Sequence, residues 1–211
     1  MPIGNDIVDL LDPEAQLGAL HPRFATRICG AEERDALARA DEPARLLWAY
    51  WAAKESAYKA LRKLIPDLIF APRQFAVELT RAAPGQLRGS VYAANRQVRV
   101  RLRYTRDYVH GLASVVGDDG AARAPTPVAA AARRIGQLSP ALGSAAARAL
   151  LTRALACRVG CARAAIDIAR PARRGVPPTV RIDGVAMPVD VSLSHHGRFV
   201  AAAYAIPVLR T

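Results

Sequence analysis

The sequence predicts an α+β fold of two similar modules, each a mainly antiparallel sheet packed by helices. Three observations predict it. Runs of Val, Leu and Tyr alternate with polar residues at a period of two, the mark of strands with one buried face. A segment reading Gly117-Asp118-Asp119-Gly120, followed by Ala/Pro-rich residues 121–132, divides the chain as a linker. After that linker the order of helix and strands partly repeats, which sets the modules at residues 1–120 and 121–211.

Taken in order, residues 3–10 predict a strand that runs into a turn at Asp12-Pro13. Helices follow over 21–40 and 43–64, the second with Pro43 in the first turn, where a missing N–H leaves no bond unmade. Strands are expected at 74–80, 86–94, 97–104 and 108–116. In Val98–Tyr104 the apolar residues share one face and Arg99, Arg101 and Arg103 the other, so the arginine face meets solvent or phosphate. The second half predicts a helix over 142–159, strands at 165–170 and 179–184, and strands at 189–195 and 198–206 around a turn at His196-Gly197.

A chain of 211 residues can bury a sizeable core. Its net charge of +12 is uneven: residues 1–120 carry +2 and residues 121–211 carry +10. Such a field attracts nucleic acid, an anionic membrane, a polyphosphate cofactor or an acidic protein. No uncharged apolar run approaches the ~18–20 residues that span a bilayer. Asp6, Asp9 and Asp12 interrupt any apolar targeting segment, so a cytoplasmic protein is expected. Cys29, Cys157 and Cys161 give no disulfide framework, and the last two, four apart on the predicted helix without His or Cys partners nearby, read as small buried residues rather than metal ligands.

The stretch Trp51-Ala52-Ala53-Lys54-Glu55-Ser56-Ala57-Tyr58-Lys59 carries the most chemistry. On a helix Glu55 and Lys59 share a face, while Trp48, Trp51 and Tyr58 pack inward. A carboxylate beside ammonium groups is what a metal ligand and a phosphate clamp require. Alone, such a pair on a helix is usually a solvated face. Here it accompanies Gly4-Asn5-Asp6-Ile7-Val8-Asp9-Leu10 near the start and Val191-Ser192-Leu193-Ser194-His195-His196-Gly197 near the end.

Together these three blocks resemble the 4'-phosphopantetheinyl transferases. The resemblance implies Asp6 and Glu55 as ligands of Mg2+ against the pyrophosphate of coenzyme A, with Lys54 and Lys59 neutralising phosphate charge. Independently of the name, hard carboxylate oxygens suit Mg2+, which binds through one or two carboxylates plus substrate phosphates and waters. By the same resemblance Ser194 and His195 contact the cofactor, and Arg23, Phe24 and Arg27 meet an acidic acyl or peptidyl carrier protein; Arg198, beside the Ser-His block, either adds a phosphate contact or merely lines an exposed turn. The Arg23–Arg27 group also fits an ordinary amphipathic helix that packs Phe24 and Ile28 into the core.

In order, the metal-bearing half resembles single-module holo-acyl-carrier-protein synthases. The two-module, surfactin-type enzymes usually place the His-bearing half first, so the halves here look exchanged. Modules of this kind pair about a pseudo-two-fold axis, which implies one complete site between the halves, in a monomer that acts as a pseudo-dimer. The first half reads Tyr108-Val109-His110-Gly111 where the second has its Ser-His strand, so His110 has positional symmetry alone. Two departures stand out. The third acidic position of the surfactin-type pattern is Val8, leaving a water or Asp9 to complete the metal's surroundings. The usual Gly-Lys-Pro reads Gly175-Val176-Pro177, leaving Arg173 or Arg174 to supply that charge.

The implied reaction is transfer of 4'-phosphopantetheine to a carrier serine, with Glu55 the family-like candidate base. The opening block with Ser-His-His-Gly looks most like a branch tied to polyketide-like or aryl polyene pathways, although carriers of fatty acid or nonribosomal peptide synthesis fit the same residues. Two rivals remain. One is a non-catalytic module that binds acidic carriers, against which an intact metal pocket argues. The other is a basic nucleic-acid-binding protein, which lacks a recognised motif and has few aromatics for stacking.

Overall fold

In the computed structural model, which describes residues 1–116, 128–136, 139–169 and 176–207, the first strand β1 (Ile3–Asp9) is buried from end to end. One face meets a long helix and the other meets strands from the far half of the chain. Three short helices follow β1: α1 (Pro13–Leu20), α2 (Pro22–Ile28) and α3 (Ala31–Ala38). The helix expected over 21–40 is therefore broken. Cys29 and Gly30 are extended, and the Glu33 carboxylate folds back to accept the Gly30 N–H at 2.8 Å, which starts α3 anew. The turn expected at Asp12-Pro13 is the entrance to α1, where Asp12 Oδ1 accepts the Glu14 N–H at 2.9 Å.

Helix α4 (Pro43–Leu61) carries an alanine-rich face, Ala52, Ala53, Ala57 and Ala60, all fully buried. Small side chains let it settle closely on a five-stranded antiparallel sheet of order β1-β5-β4-β3-β2, built from β2 (Ala76–Ala83), β3 (Gln86–Ala93), β4 (Arg96–Tyr104) and β5 (Tyr108–Val115). Val98, Val100 and Leu102 face this core and Arg99, Arg101 and Arg103 are exposed, as the alternation predicts. Trp48, Trp51 and Tyr58 pack inward on the same cluster.

The second half contains β6 (Val128–Arg134), α5 (Pro140–Val159), β7 (Ile166–Ala169), β8 (Thr179–Ile182), β9 (Val185–Met187), β10 (Asp190–His196) and β11 (Phe199–Ala205). Two three-stranded sheets result, β10-β11-β6 and β7-β8-β9. The linker expectation is corrected at its end. Residues 128–132 form part of β6, paired with β11; the rest of that segment, 117–127, lies outside the described residues. An alanine run has weak strand propensity and hid this strand. Cys157 is exposed on α5, not a buried residue as expected, and Cys161 follows the left-handed Gly160 (φ +72°) that ends the helix. Among the described residues no helix is long and apolar enough to cross a membrane.

Strand order corrects the reading of His110. In each half the first strand pairs with the last and the last with the penultimate, so β10 matches β4 and β11 matches β5. Both hairpins turn over two residues: the Thr105 N–H donates to Tyr108 O at 2.9 Å across Arg106-Asp107, and His196 pairs with Phe199 across Gly197-Arg198. Tyr104 thus stands at the place of His195, and His110 at that of Ala201.

The halves meet along β1 and β10, neither of which pairs the other through its backbone. Instead, every second N–H of β1 donates to a side chain of β10: Ile3 to Asp190 Oδ2 at 2.6 Å, Asn5 to Ser192 Oγ at 2.9 Å, Ile7 to Ser194 Oγ at 3.2 Å, and Asp9 to His196 Nδ1 at 3.1 Å. The carbonyls of Ile3 and Asn5 accept from Lys63 and Lys59 of the α4 side. A strand edge that would otherwise be open is thereby satisfied. Alanines 201, 203 and 205 of β11 lie in buried clusters with Ile3 and Ile7, closing the joint with apolar contact.

Candidate active site at the joint

At the edge of β1 a cavity of about 310 Å³ opens between α1, α2, α4 and the end of β10. Its polar wall is Asp6, Glu14, Glu55, His195 and His196, and its apolar wall includes Phe24, Trp48 and Trp51.

Asp6 reaches the cavity because β1 lies unusually close to α4. A Cβ on Gly4 would stand 2.0 Å from the Ser56 carbonyl oxygen, so no larger residue fits there. This approach brings Asp6 Oδ1 to 2.8 Å from Lys59 Nζ, which also lies 3.7 Å from Glu55 Oε1 one turn earlier on α4. Burial disfavours the Lys59 charge, but Asp6 and Glu55 outweigh it and hold its pKa above the usual value. Loss of hydration pushes the Glu55 carboxyl up, and the neighbouring Asp6 charge adds to that against the pull of Lys59.

The second half supplies Ser194 and His195. Ser194 is turned inward, donating to Asp6 Oδ1 at 2.9 Å, and is nearly inaccessible. His195 points the other way on the strand, into the cavity, beneath the first turns of α5. A Cβ on Gly143 would come within 3.0 Å of its Nδ1. Partial burial, with Lys59 and His196 nearby, lowers the His195 pKa despite the opposing Asp6. Two residues expected near the metal or phosphates belong to the joint instead. Asp9 is completely buried and bound by Arg198, whose Nε and Nη2 both donate to it.

Lys54 is the main correction. As Glu55's immediate neighbour it lies about 100° round the helix and points into the core, with no exposure. Its ammonium donates to Glu33 Oε2 at 2.6 Å and to the carbonyls of Ile28 and Pro72 at 2.6 and 3.1 Å, using all three protons. It cannot meet a phosphate. On α2, Arg23 and Arg27 are exposed, whereas Phe24 is half-buried against Trp48 and Trp51, with ring centroids 5.2 and 5.8 Å away. Arg173 and Arg174 lie outside the described residues. Glu14 escaped the sequence reading. Its carboxylate is exposed at the cavity because α1, tied to α4 by the Trp48 Nε1 bond to Ala15 O at 3.2 Å, carries it there. The Asp12-Pro13-Glu14 helix start was the available signal.

Among the described residues no three His, Cys, Asp or Glu side chains cluster as a complete metal site. Two carboxylates beside an open cavity nevertheless fit a cation such as Mg2+, which takes its remaining ligands from phosphate and water. Asp6 Oδ2 has no partner among the described residues.

Comparison with known proteins bears on the same segment. A family model described as ACPS, 4'-phosphopantetheinyl transferase superfamily, matches residues 2–113. The chain is 46% identical over 59 residues to the holo-[acyl-carrier-protein] synthase of Aromatoleum aromaticum (strain DSM 19018 / LMG 30748 / EbN1), a match covering 28% of this chain and 47% of that protein. The chain thus spans about half the length of that curated relative. Similar solved structures include holo-[acyl-carrier-protein] synthase (AcpS) from Neisseria meningitidis, with TM-score 0.41, 18% identity, and coverage of 55% of this chain and 98% of that one. The Thermotoga maritima enzyme of the same name gives TM-score 0.40 and 14% identity, covering 88% and 84%. Since the family match takes in β1, α4 and the sheet between them, more than half of the sequence, the chain belongs to the 4'-phosphopantetheinyl transferase superfamily.

Proposed function

We propose that this protein transfers 4'-phosphopantetheine from coenzyme A to a serine hydroxyl of an acyl or peptidyl carrier protein, converting apo carrier to holo. The observation that carries the reading is that Asp6 and Glu55 from residues 1–120, both paired with Lys59, share one cavity with His195 from residues 121–211. On this reading the chain is two modules related by a pseudo-two-fold axis, with one site between them.

Asp6 and Glu55 would hold Mg2+, whose positive charge would stabilise the negative charge developing on the pyrophosphate. Lys59 adds a fixed cation beside it, and His195 binds a coenzyme A phosphate, supported by the basic half that includes Arg173 and Arg174. The serine oxygen attacks the phosphorus that bears pantetheine, its proton passes to Glu55, and the P–O bond to the other phosphorus breaks. Adenosine 3',5'-bisphosphate leaves. The aromatic wall excludes water from the reacting groups. Arg23 and Arg27 orient an acidic carrier beside the cavity, favouring encounter and register. We assign the chain to the cytoplasm as a monomer, and a polyketide-like or aryl polyene carrier is the substrate we favour.

Mass spectrometry of apo carriers incubated with coenzyme A and Mg2+ tests this. The carrier should gain one phosphopantetheinyl group per acceptor serine, and Glu55→Gln should abolish the gain while the protein stays folded. Carrier binding without a mass change would support the non-catalytic reading instead.

A further inference from the structure

The two oxygens of the Asp6 carboxylate are not equivalent. Oδ1 accepts from Lys59 Nζ at 2.8 Å and from the Ser194 hydroxyl at 2.9 Å, donors that belong to α4 and β10. With two donors, Oδ1 has used its two lone pairs. Oδ2 has no partner among the described residues, and Asp6 lines the cavity. Two donors from separate elements also prevent the carboxylate from turning over.

The Ser194 hydroxyl is itself directed. It accepts the Ile7 N–H at 3.2 Å, so its single proton is left to point at Asp6. A serine serving only the joint would need no such second contact. Ser192, two residues earlier on the same strand, accepts the Asn5 N–H at 2.9 Å in the same manner and touches no carboxylate.

We infer that Ser194 is a positioning residue: by occupying Oδ1 it presents Asp6 Oδ2 to the cation, so that the second half of the chain sets the cation affinity of carboxylates belonging to the first. The residues concerned are 188 positions apart. This role replaces the cofactor contact expected for Ser194, and it rests on the reading above that Asp6 and Glu55 hold a divalent cation. Partners of metal-ligating carboxylates act in this way by fixing orientation and charge.

The test uses the full chain with coenzyme A present and Mn2+ as the probe, its affinity read from the electron paramagnetic resonance of the free ion. Ser194→Ala should weaken Mn2+ binding by about 10–100-fold, the usual loss when such an outer partner of a ligand is removed. Ser192→Ala, which removes an equivalent joint contact, should leave the affinity essentially unchanged while lowering the unfolding midpoint by a similar amount. Ser194→Thr, which keeps the hydroxyl, should restore it. Should Ser194→Ala not fold, Ser194→Cys keeps the volume with a weaker donor and must still weaken binding. Unchanged affinity in the folded Ser194 variants, or equal weakening in the Ser192 variant, overturns the inference alone. A wild-type chain that holds no Mn2+ with coenzyme A present overturns the cation reading, and this inference with it.

Discussion

Arg198 closes on Asp9 through two parallel bonds, Nε to Oδ2 at 2.8 Å and Nη2 to Oδ1 at 2.6 Å, and so fastens the β10–β11 turn to the end of β1. Gly197, at φ +50°, makes this possible, since a Cβ there would lie 2.6 Å from Asp9 Oδ2. Burial raises the Asp9 carboxyl, but the bonds from Arg198 and the Leu11 N–H prevail and hold it below its usual range. Its stabilisation is therefore present at neutral pH and is lost as pH falls through that lowered value. Arg198→Ala leaves a buried, unpaired charge and should destabilise the protein by about 3–5 kcal/mol in urea unfolding at pH 7. Arg198→Lys should recover only part of this, because an ammonium cannot bond both oxygens in parallel.

Lys54 should prove structural. Lys54→Ala strands Glu33 in the core, where its carboxylate also accepts the N–H groups of Gly30 and Val77, and should cost about 3–5 kcal/mol. Coenzyme A affinity of the folded variant, measured by calorimetry below its unfolding temperature, should match wild type. A large affinity loss in a protein of normal stability would return Lys54 to the phosphates.

His110 makes a pH-dependent contribution. Burial pushes its pKa down to about 4, with Arg103 and Lys59 assisting and Asp6 opposing. The neutral ring receives the Asn5 side-chain amide at 3.3 Å. Unfolded histidine binds its proton near pH 6.5, so the folded state loses ground as pH falls from there to about 4, by about 3 kcal/mol in total. His110→Gln should flatten that part of the curve. Urea titrations of both proteins at pH 7 and 4.5 check this, since carboxylate contributions common to the two cancel.

His195→Ala should weaken coenzyme A more than dephospho-coenzyme A if its contact is with the 3'-phosphate. Equal losses for both ligands would move the contact to the pyrophosphate.

Much of this architecture is legible in the sequence, and the failures have definite physical causes. Strands with one large apolar face, such as β4, announce themselves by alternation. Strand β6 does not, because its residues are mostly alanine and largely exposed, and its place is set by backbone pairing with β11. Within the motif helix, Glu55 and Lys59 are four residues apart and meet, as helical geometry requires. Lys54 was grouped with them by motif, although an adjacent residue must face elsewhere. The Ser-x-Ser-His strand was legible as a functional block, yet Ser194 serves Asp6. That depends on two strand edges meeting through side chains, which no local pattern encodes. Glu14 was missed because its place depends on how a short helix with few large apolar residues docks on Trp48.

The account's central claim is that carboxylates of the first half hold a cation in the cavity that His195 of the second half enters. Four histidines make this accessible to NMR. In the full chain with coenzyme A, substoichiometric Mn2+ should broaden the His195 ring resonance, assigned with His195→Asn, and the broadening should vanish in Asp6→Asn at the same Mn2+ concentration. A His195 resonance that stays sharp while wild-type protein binds Mn2+ would contradict the shared site.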